Sequence, residues 1–399
     1  MKNWNFSMQK VSDSNIAKSR HCSCTGSILR YLKMALSAQK KPILHHICVY
    51  VIITQAKLLQ KANVRIAIVG AGLSGLACCY HLQKNSSANI TLFDHNGVAG
   101  GASGIAAGLI HPYQGPKLKL NFMGFEAEQE AKLLFEKAST SELQRGILRP
   151  AMTDEQMEHF SALSQKEKEN EWLKESEALQ KAPFLTPRPA LFIPRGQAIC
   201  TKTYLENLWK VCEKKGAKLF IQKIEDRSAL QEFDKIIYAT GAYINDLIKE
   251  KPLPISRLKG QTLELFLPEQ FEVTPFAIHA STYLVFSQKR CMVGATFERK
   301  FLDYLPTKEA ELEIRKKLHE FAPSLSNLQL ASHKAELRAY TQDKMPKIFK
   351  LSEKEWVMTA LGSKGLLYHA LVAKLLVSAL LADDPSLIPA KFSSIESAS

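Results

Sequence analysis

The chain of 399 residues has no two cysteines at the spacing used by redox or zinc motifs. Its eight cysteines, Cys22, Cys24, Cys48, Cys78, Cys79, Cys200, Cys212 and Cys291, are scattered. That suits a reducing compartment better than a disulfide framework. The His21-Cys22-Ser23-Cys24 cluster and the His45-His46 pair lack matching ligands at zinc-site spacing, so no metal is expected. The apolar run from Ile47 to Ile53 is too short to cross a bilayer. No small-residue cleavage site marks a secretory signal, and no repeat or low-complexity tract is present. Acidic residues are almost missing from the first 62 positions, which hold ten Lys or Arg against Asp13 alone. That net +9 leaves only +5 of the chain's +14 for everything downstream. This leader reads as a transit peptide, a basic arm for nucleic acid, or residues upstream of a start near Met34, the simplest of the three.

What is present begins at Val64, where VRIAIVGAGLSGLACC runs from a β-branched strand through Gly70-Ala71-Gly72-Leu73-Ser74-Gly75 into a helix of small residues. In this GxGxxG pattern one glycine makes the tight turn, one lets the backbone approach a pyrophosphate, and one lets helix and strand pack closely. The N-H groups of the helix N-terminus then face the phosphates. A second strand, Ala88 to Phe93, leads to Asp94, which lies 19 positions after Gly75, where an acid reaches a ribose diol. An adenine dinucleotide follows from this set, with FAD and NAD both open.

Between Gly100 and Pro112 every residue except Ile105, Leu109, Ile110, His111 and Pro112 is Gly, Ala or Ser. So little side-chain bulk places backbone against a large flat ligand. Amphipathic helices are predicted over 122–138 and, rich in Lys and Glu, over 154–179. A helix over 202–214, closed by Gly216, precedes strands over 218–224 and 233–239, the latter running into Thr240-Gly241. The block from Gly260 to Phe297 reads as antiparallel strands backed by a charged helix over 307–321. A strand over 356–361, the turn Gly362-Ser363-Lys364-Gly365 and an apolar helix over 367–381 close the pattern. The α/β segments are interrupted twice, which suits a large flavin better than the contiguous cofactor domain of a simple NAD dehydrogenase.

As a set, the Gly70 turn, the Gly101-Ala102-Ser103-Gly104 to Gly108 loop, Ala239-Thr240-Gly241 and the Gly362 to Leu366 segment resemble the FAD-dependent D-amino acid oxidase and glycine oxidase superfamily over about residues 64–382. Within it, GASGIAAGLIHP, VGATFER and LRAYTQDKMPKI look most like the oxidoreductase domain of the bifunctional tRNA 5-methylaminomethyl-2-thiouridine biosynthesis family. The resemblance implies an α/β fold with an α+β second domain: a Rossmann-like FAD-binding domain (63–115, 195–255, 330–385) interleaved with an antiparallel-sheet substrate domain (116–194, 256–329). The leader at 1–62 and a tail at 386–399 fall outside both.

It also implies roles. Gly70, Gly72, Leu73, Ser74 and Gly75 would cradle the pyrophosphate and Asp94 the ribose, where a glutamate is commoner in the family. Gly101, Ala102, Ser103, Gly104, Ala106, Ala107 and Gly108 would lie along the flavin. Ala239, Thr240 and Gly241 would approach the pyrophosphate from a second side. Gly362, Ser363, Gly365 and Leu366 would turn a helix N-terminus toward the pyrimidine edge, with Lys364 adding positive charge. Arg338 matches the arginine that anchors a substrate carboxylate, against the plainer reading of a salt bridge to Glu336 or Asp343. Positions that carry a covalent flavin tether in some relatives are Arg338 and Ile105 here, so noncovalent FAD is expected. His111, Tyr113, Tyr243 and Tyr283 are candidate pocket residues. Lys117, Lys119, Arg188, Arg195, Arg299 and Lys300 are candidates for a basic rim.

The implied activity is oxidation of an N-carboxymethyl amine, with carboxymethylaminomethyl-uridine of tRNA as the substrate, oxygen as acceptor, no membrane span, and a cytoplasmic location or, alternatively, organellar import. A glycine, sarcosine or D-amino acid oxidase is the enzymatic alternative. A flavin-binding protein without turnover is the alternative of another class. The methyltransferase half of the bifunctional family has no room in the first 62 residues.

Overall fold

A computed structural model describes residues 64–105 and 107–393. The basic leader with its His/Cys groups and apolar run, Ala106 and residues 394–399 lie outside the described residues. Two large sheets organise the rest. The first has six strands in the order Lys347–Lys350, Glu355–Thr359, Lys235–Tyr238, Arg65–Val69, Asn89–Asp94, Lys218–Ile221. All its neighbours are parallel except the first pair. Ile68 lies opposite Ile237 and Leu92, and Ile237 opposite Trp356, so the central strands read as continuous apolar runs because both faces are covered.

One covering layer is the helix Gly365–Ala382, apolar on every side and packed against the helices Leu73–Asn85 and Gly124–Lys137. By length and composition it could cross a membrane, yet most of its residues are buried inside the fold. Each leucine so buried contributes roughly 1.5–3 kcal/mol. Its one buried imidazole is satisfied: His369 meets the Tyr204 hydroxyl at 2.7 Å and the Leu366 carbonyl at 3.0 Å.

The second sheet has nine strands, eight of them in the order Leu330–Tyr340, Ser256–Phe266, Arg290–Gly294, Tyr283–Ser287, Ala277–His279, Gln144–Pro150, Ala190–Cys200 and Ala107–Ile110, with the ninth, Glu171–Leu173, also paired to Ala190–Cys200. It departs from the antiparallel expectation at one place, where Ile278 runs parallel to Leu148. Behind it lies the charged helix Lys308–His319. Thr307 caps that helix by accepting from the Ala310 N-H, with Glu309 and Glu311 in its first turn and Lys316, Lys317 and His319 in its last, as the helix dipole favours.

Two expectations need correction. The Lys/Glu-rich stretch over 154–179 is not one helix but two, Asp154–Lys166 and Glu175–Lys181, separated by the strand Glu171–Leu173. Trp172 pairs with Leu191 there, so a tertiary edge outweighs local helix propensity. The strands Ala107–Ile110 and Leu330–Tyr340, in chain segments ascribed to the nucleotide domain, pair instead with Ala190–Cys200 and Ser256–Phe266 of the second sheet. Both carry residues that line the joint between the sheets.

Candidate active site

The strand Arg65–Val69 ends at Gly70 with φ +112°, and a Cβ there would lie 2.4 Å from the Ala239 carbonyl oxygen. Only glycine permits that approach. The two parallel strand ends therefore meet at the glycine turn. Gly75 sits so close to the turn that its Cβ would fall 1.8 Å from the Gly70 oxygen. Gly72 abuts Ser103, whose Oγ accepts from the Leu73 N-H at 3.2 Å. Asp94 is fixed at the edge of the turn: its two oxygens accept from the Ala71 and Asn96 N-H groups at 2.8 and 2.9 Å.

From this turn a cavity of about 540 Å³ runs along the joint of the two sheets. Leu73, Ser74, Ala102, Ser103, Ala107 and Gly108 line one wall. Gly108 has no room for a side chain, since a Cβ would sit 2.4 Å from Leu366 and 2.8 Å from Thr201. Gly101 faces open space, and Gly104 is pressed against the Ala99 carbonyl. Ala239 and Gly241 line the opposite side, Gly241 in the left-handed region at φ +58°. Between them, the buried Thr240 Oγ1 has no partner. Gly362 at φ +53°, Ser363, Gly365 and Leu366 bring the N-terminus of the apolar helix to the same cavity. Lys364 is directed elsewhere, with its Nζ 3.8 Å from the Met345 sulfur.

The far part of the cavity holds Arg338, from the strand Leu330–Tyr340. Its guanidinium lies flat over Gly260, where a Cβ would approach Cζ to 2.9 Å, and packs on the Phe297 ring at 5.6 Å. The salt-bridge reading does not apply, because Asp343 binds Lys347 at 2.7 Å and Glu336 accepts from the Leu337 N-H. No ion pair to Arg338 is present among the described residues. Burial lowers its pKa from the ordinary guanidinium value, but such a group keeps its proton.

Tyr283 stands beside it over Gly294, whose absent side chain leaves space for the phenol. The Tyr283 hydroxyl is buried beside the Ala107 backbone and donates to no group among the described residues, and burial pushes its pKa up to about 12. It is therefore a neutral donor at working pH. Of the other candidate aromatics and histidines, His111 also lines the cavity, and burial with a nearby Arg149 lowers its pKa to about 3. Tyr113 belongs instead to a buried apolar cluster, and Tyr243 lies under the Arg257 guanidinium.

The basic candidates do not line the cavity. Lys117 pairs with Glu155, and Arg195 with Glu128 and Glu169. Arg299 lies over the Tyr340 ring at 5.9 Å. Sequence reasoning did not single out Arg149 or Gly260. Nothing local to either marks it, since each gains its meaning from a neighbouring strand.

The cradle suits FAD: glycines where a long phosphate ester must pass, two helix N-termini facing the cavity, and a wall at Gly108 where no side chain fits. Gly75→Ala should weaken FAD binding at least about tenfold, because the helix must move off the strand to relieve the contact. Titration of apoprotein with FAD, followed by flavin fluorescence, checks this; unchanged affinity would refute the tight-packing role.

Residues 65–379 match the family described as FAD dependent oxidoreductase. The chain is 28% identical over 356 residues to the tRNA 5-methylaminomethyl-2-thiouridine biosynthesis bifunctional protein MnmC of Idiomarina loihiensis, covering 82% of this chain and 57% of that one. To the protein of the same name from Campylobacter jejuni it is 23% identical, over 71% of this chain and 45% of that one. It thus spans about half the length of these relatives. Among solved structures, glycine oxidase from Geobacillus kaustophilus superposes with a TM-score of 0.72 at 20% identity, over 85% of this chain and 100% of that one, which is a likeness of fold. With the match running across both sheets and the whole cavity, the chain belongs to the FAD-dependent oxidoreductase family.

Proposed function

We propose that this oxidoreductase cleaves an N-carboxymethyl amine, with carboxymethylaminomethyl-uridine of tRNA as its substrate. The observation that carries this reading is Arg338: a half-buried residue whose guanidinium faces the cavity and meets no acid among the described residues, beside the Tyr283 phenol. An unpaired buried cation is costly, and a carboxylate is its natural complement. The relatives named for tRNA 5-methylaminomethyl-2-thiouridine biosynthesis support an RNA carrier.

Arg338 would hold the substrate carboxylate through a two-pronged contact, with the Tyr283 hydroxyl donating to one of its oxygens. The Phe297 ring and the small residues of the Ala107–Gly108 wall would confine the amine between them and exclude water. Bound FAD would supply the acceptor for a hydride from the α-carbon, while the amine nitrogen loses its proton. Water then adds to the resulting imine, whose C-N bond breaks to give the primary amine and glyoxylate. Much of the acceleration would come from orientation. We assign molecular oxygen as the final acceptor, with hydrogen peroxide as the second product, and noncovalent FAD, since Ile105 and Arg338 offer no tether.

Anaerobic mixing of the FAD-loaded protein with tRNA bearing carboxymethylaminomethyl-uridine should bleach the visible flavin band, while unmodified tRNA should not. Bleaching by glycine or sarcosine alone would replace this reading with a small-molecule oxidase. No bleaching by any of them would leave a flavin-binding protein without this turnover.

A further inference from the structure

The cavity contains a second cation that the reaction above does not use. Arg149, on the strand Gln144–Pro150, is only 3% exposed and lines the same cavity as Arg338. Its guanidinium packs against the Phe160 ring at 5.6 Å, and one terminal nitrogen lies 3.3 Å from His279 Nδ1. Its Nε has no partner, and no ion pair to Arg149 is present among the described residues. Other buried cations are treated differently: Lys347 has Asp343 at 2.7 Å, and Lys259 has Asp303 at 3.6 Å.

Among the described residues no aspartate or glutamate lines the cavity; His111 and His279 neighbour Arg149 there, and Glu320, an exposed acid beside the lining, accepts from the Ser281 hydroxyl. Burial and the guanidinium hold both imidazoles neutral, with His279 well below its usual range. His111 Nδ1 is a further buried atom without a partner. A lone guanidinium among neutral polar groups at a cavity wall is an incomplete ion pair, and what completes it is an oxyanion entering the cavity.

The geometry points to a second oxyanion subsite at Arg149, which takes an acidic group of the substrate other than the carboxylate held by Arg338. The inference rests on the proposed reading that Arg338 anchors one carboxylate. His279 pairs directly with Tyr283, and Arg149 lies on the next strand beyond His279. At the usual strand spacing this puts the Arg149 backbone roughly 10 Å from that of Tyr283. The two anionic groups must therefore be several bonds apart. A carboxylate at the far end of a small amine and the phosphate of a nucleotide both have this chemistry.

Two sets of unreactive probes separate these sources. Succinate, glutarate and adipate would be titrated into the FAD-loaded protein against butyrate, valerate and hexanoate, and uridine 5′-monophosphate against uridine. Binding would be read from calorimetry and from perturbation of the flavin absorbance. In at least one set the more highly charged probe should bind about tenfold or more tightly than its partner, and Arg149→Gln should abolish that preference while changing monocarboxylate affinity less than about twofold. Arg149→Lys should keep part of it. Preference within the dicarboxylates identifies a carboxylate source, and preference for the nucleotide identifies a phosphate source. If the wild type shows no preference in either set, or the preference survives in Arg149→Gln, the subsite does not exist. Should Arg149→Gln fail to fold, the wild-type comparison and Arg149→Lys still decide. No turnover is involved, so loss of the tRNA reaction with the anion preference intact would overturn the proposed substrate alone.

Discussion

Replacing Arg338 with methionine should lower kcat/KM for an N-carboxymethyl amine roughly 100- to 10,000-fold while leaving the protein equally stable or more so. The two halves of this expectation have one cause. Arg338 is half-buried over Gly260 and against Phe297, with no carboxylate among the described residues to meet it. In the free enzyme its charge is therefore a desolvation cost without an internal return. With substrate present, the same charge finds the carboxylate, and the contact fixes the α-carbon. A methionine fills a similar volume, removes the cost and removes the anchor. Steady-state kinetics with the modified tRNA and thermal unfolding of the FAD-loaded variant test both parts. Lower stability with unaffected turnover would make Arg338 a structural residue and end its assignment as the anchor. Added guanidinium should restore part of the activity of Arg338→Ala, which a merely structural role would not predict.

Acid should destabilise the protein well above the range where ordinary carboxylates titrate. Burial lowers the pKa of His81 and His111 to about 3 and that of His369 to about 4, each from an ordinary value of 6.5. All three are almost fully buried, at 2%, 2% and 0% exposure. Their folded-state pKa values are depressed, so below about pH 6.5 the unfolded chain takes up protons that the folded chain refuses. Stability from these groups is thus complete above pH 6.5 and is lost as pH falls toward 3–4. Each costs about 1.4 kcal/mol per pH unit, hence about 2 kcal/mol at pH 5. Three together reach about 6 kcal/mol, a large share of the roughly 5–15 kcal/mol of a folded domain. At lower pH the carboxylates Glu311, Asp343 and Glu355 act in the same direction, because their cationic or hydroxyl partners hold them below the usual range. Unfolding at pH 5.5 should therefore take up at least about three protons, measurable from the pH dependence of denaturant midpoints. An uptake near zero would mean that these imidazoles open to water in the folded state.

Sequence alone carried the nucleotide half of the site furthest, because its signals are local. A strand, a glycine turn, a helix of small residues and an acid follow one another within Arg65 to Asp94, and each position is dictated by backbone geometry that only certain residues allow. Gly70 must take φ +112°, and Gly75 must touch the Gly70 oxygen, so the pattern is visible without any long-range contact. The helix Gly365–Ala382, behind its glycine turn, and the charged helix Lys308–His319 were legible from composition and pattern, while the Thr307 cap emerged from the structure. The stretch over 154–179 reads as one helix because its Lys and Glu favour helix throughout. Pairing of Trp172 with Leu191 across some twenty residues decides its break.

The sequence by itself determined a dinucleotide turn, alternating α/β segments, a chain poor in metal-ligand and disulfide patterns, and an arginine worth watching at position 338. Tertiary structure decided what that arginine meets. Pairing of the Leu330–Tyr340 and Ser256–Phe266 strands lays Arg338 beside Gly260, and neighbouring strands bring Tyr283 over Gly294 and Arg149 to His279. It also showed that Lys364 turns toward Met345 rather than into the cavity. The physical reason is the range of the forces involved. Turns and caps are set by the few residues around them, whereas a charge becomes a binding group only when distant strands deny it a partner and leave it facing a cavity.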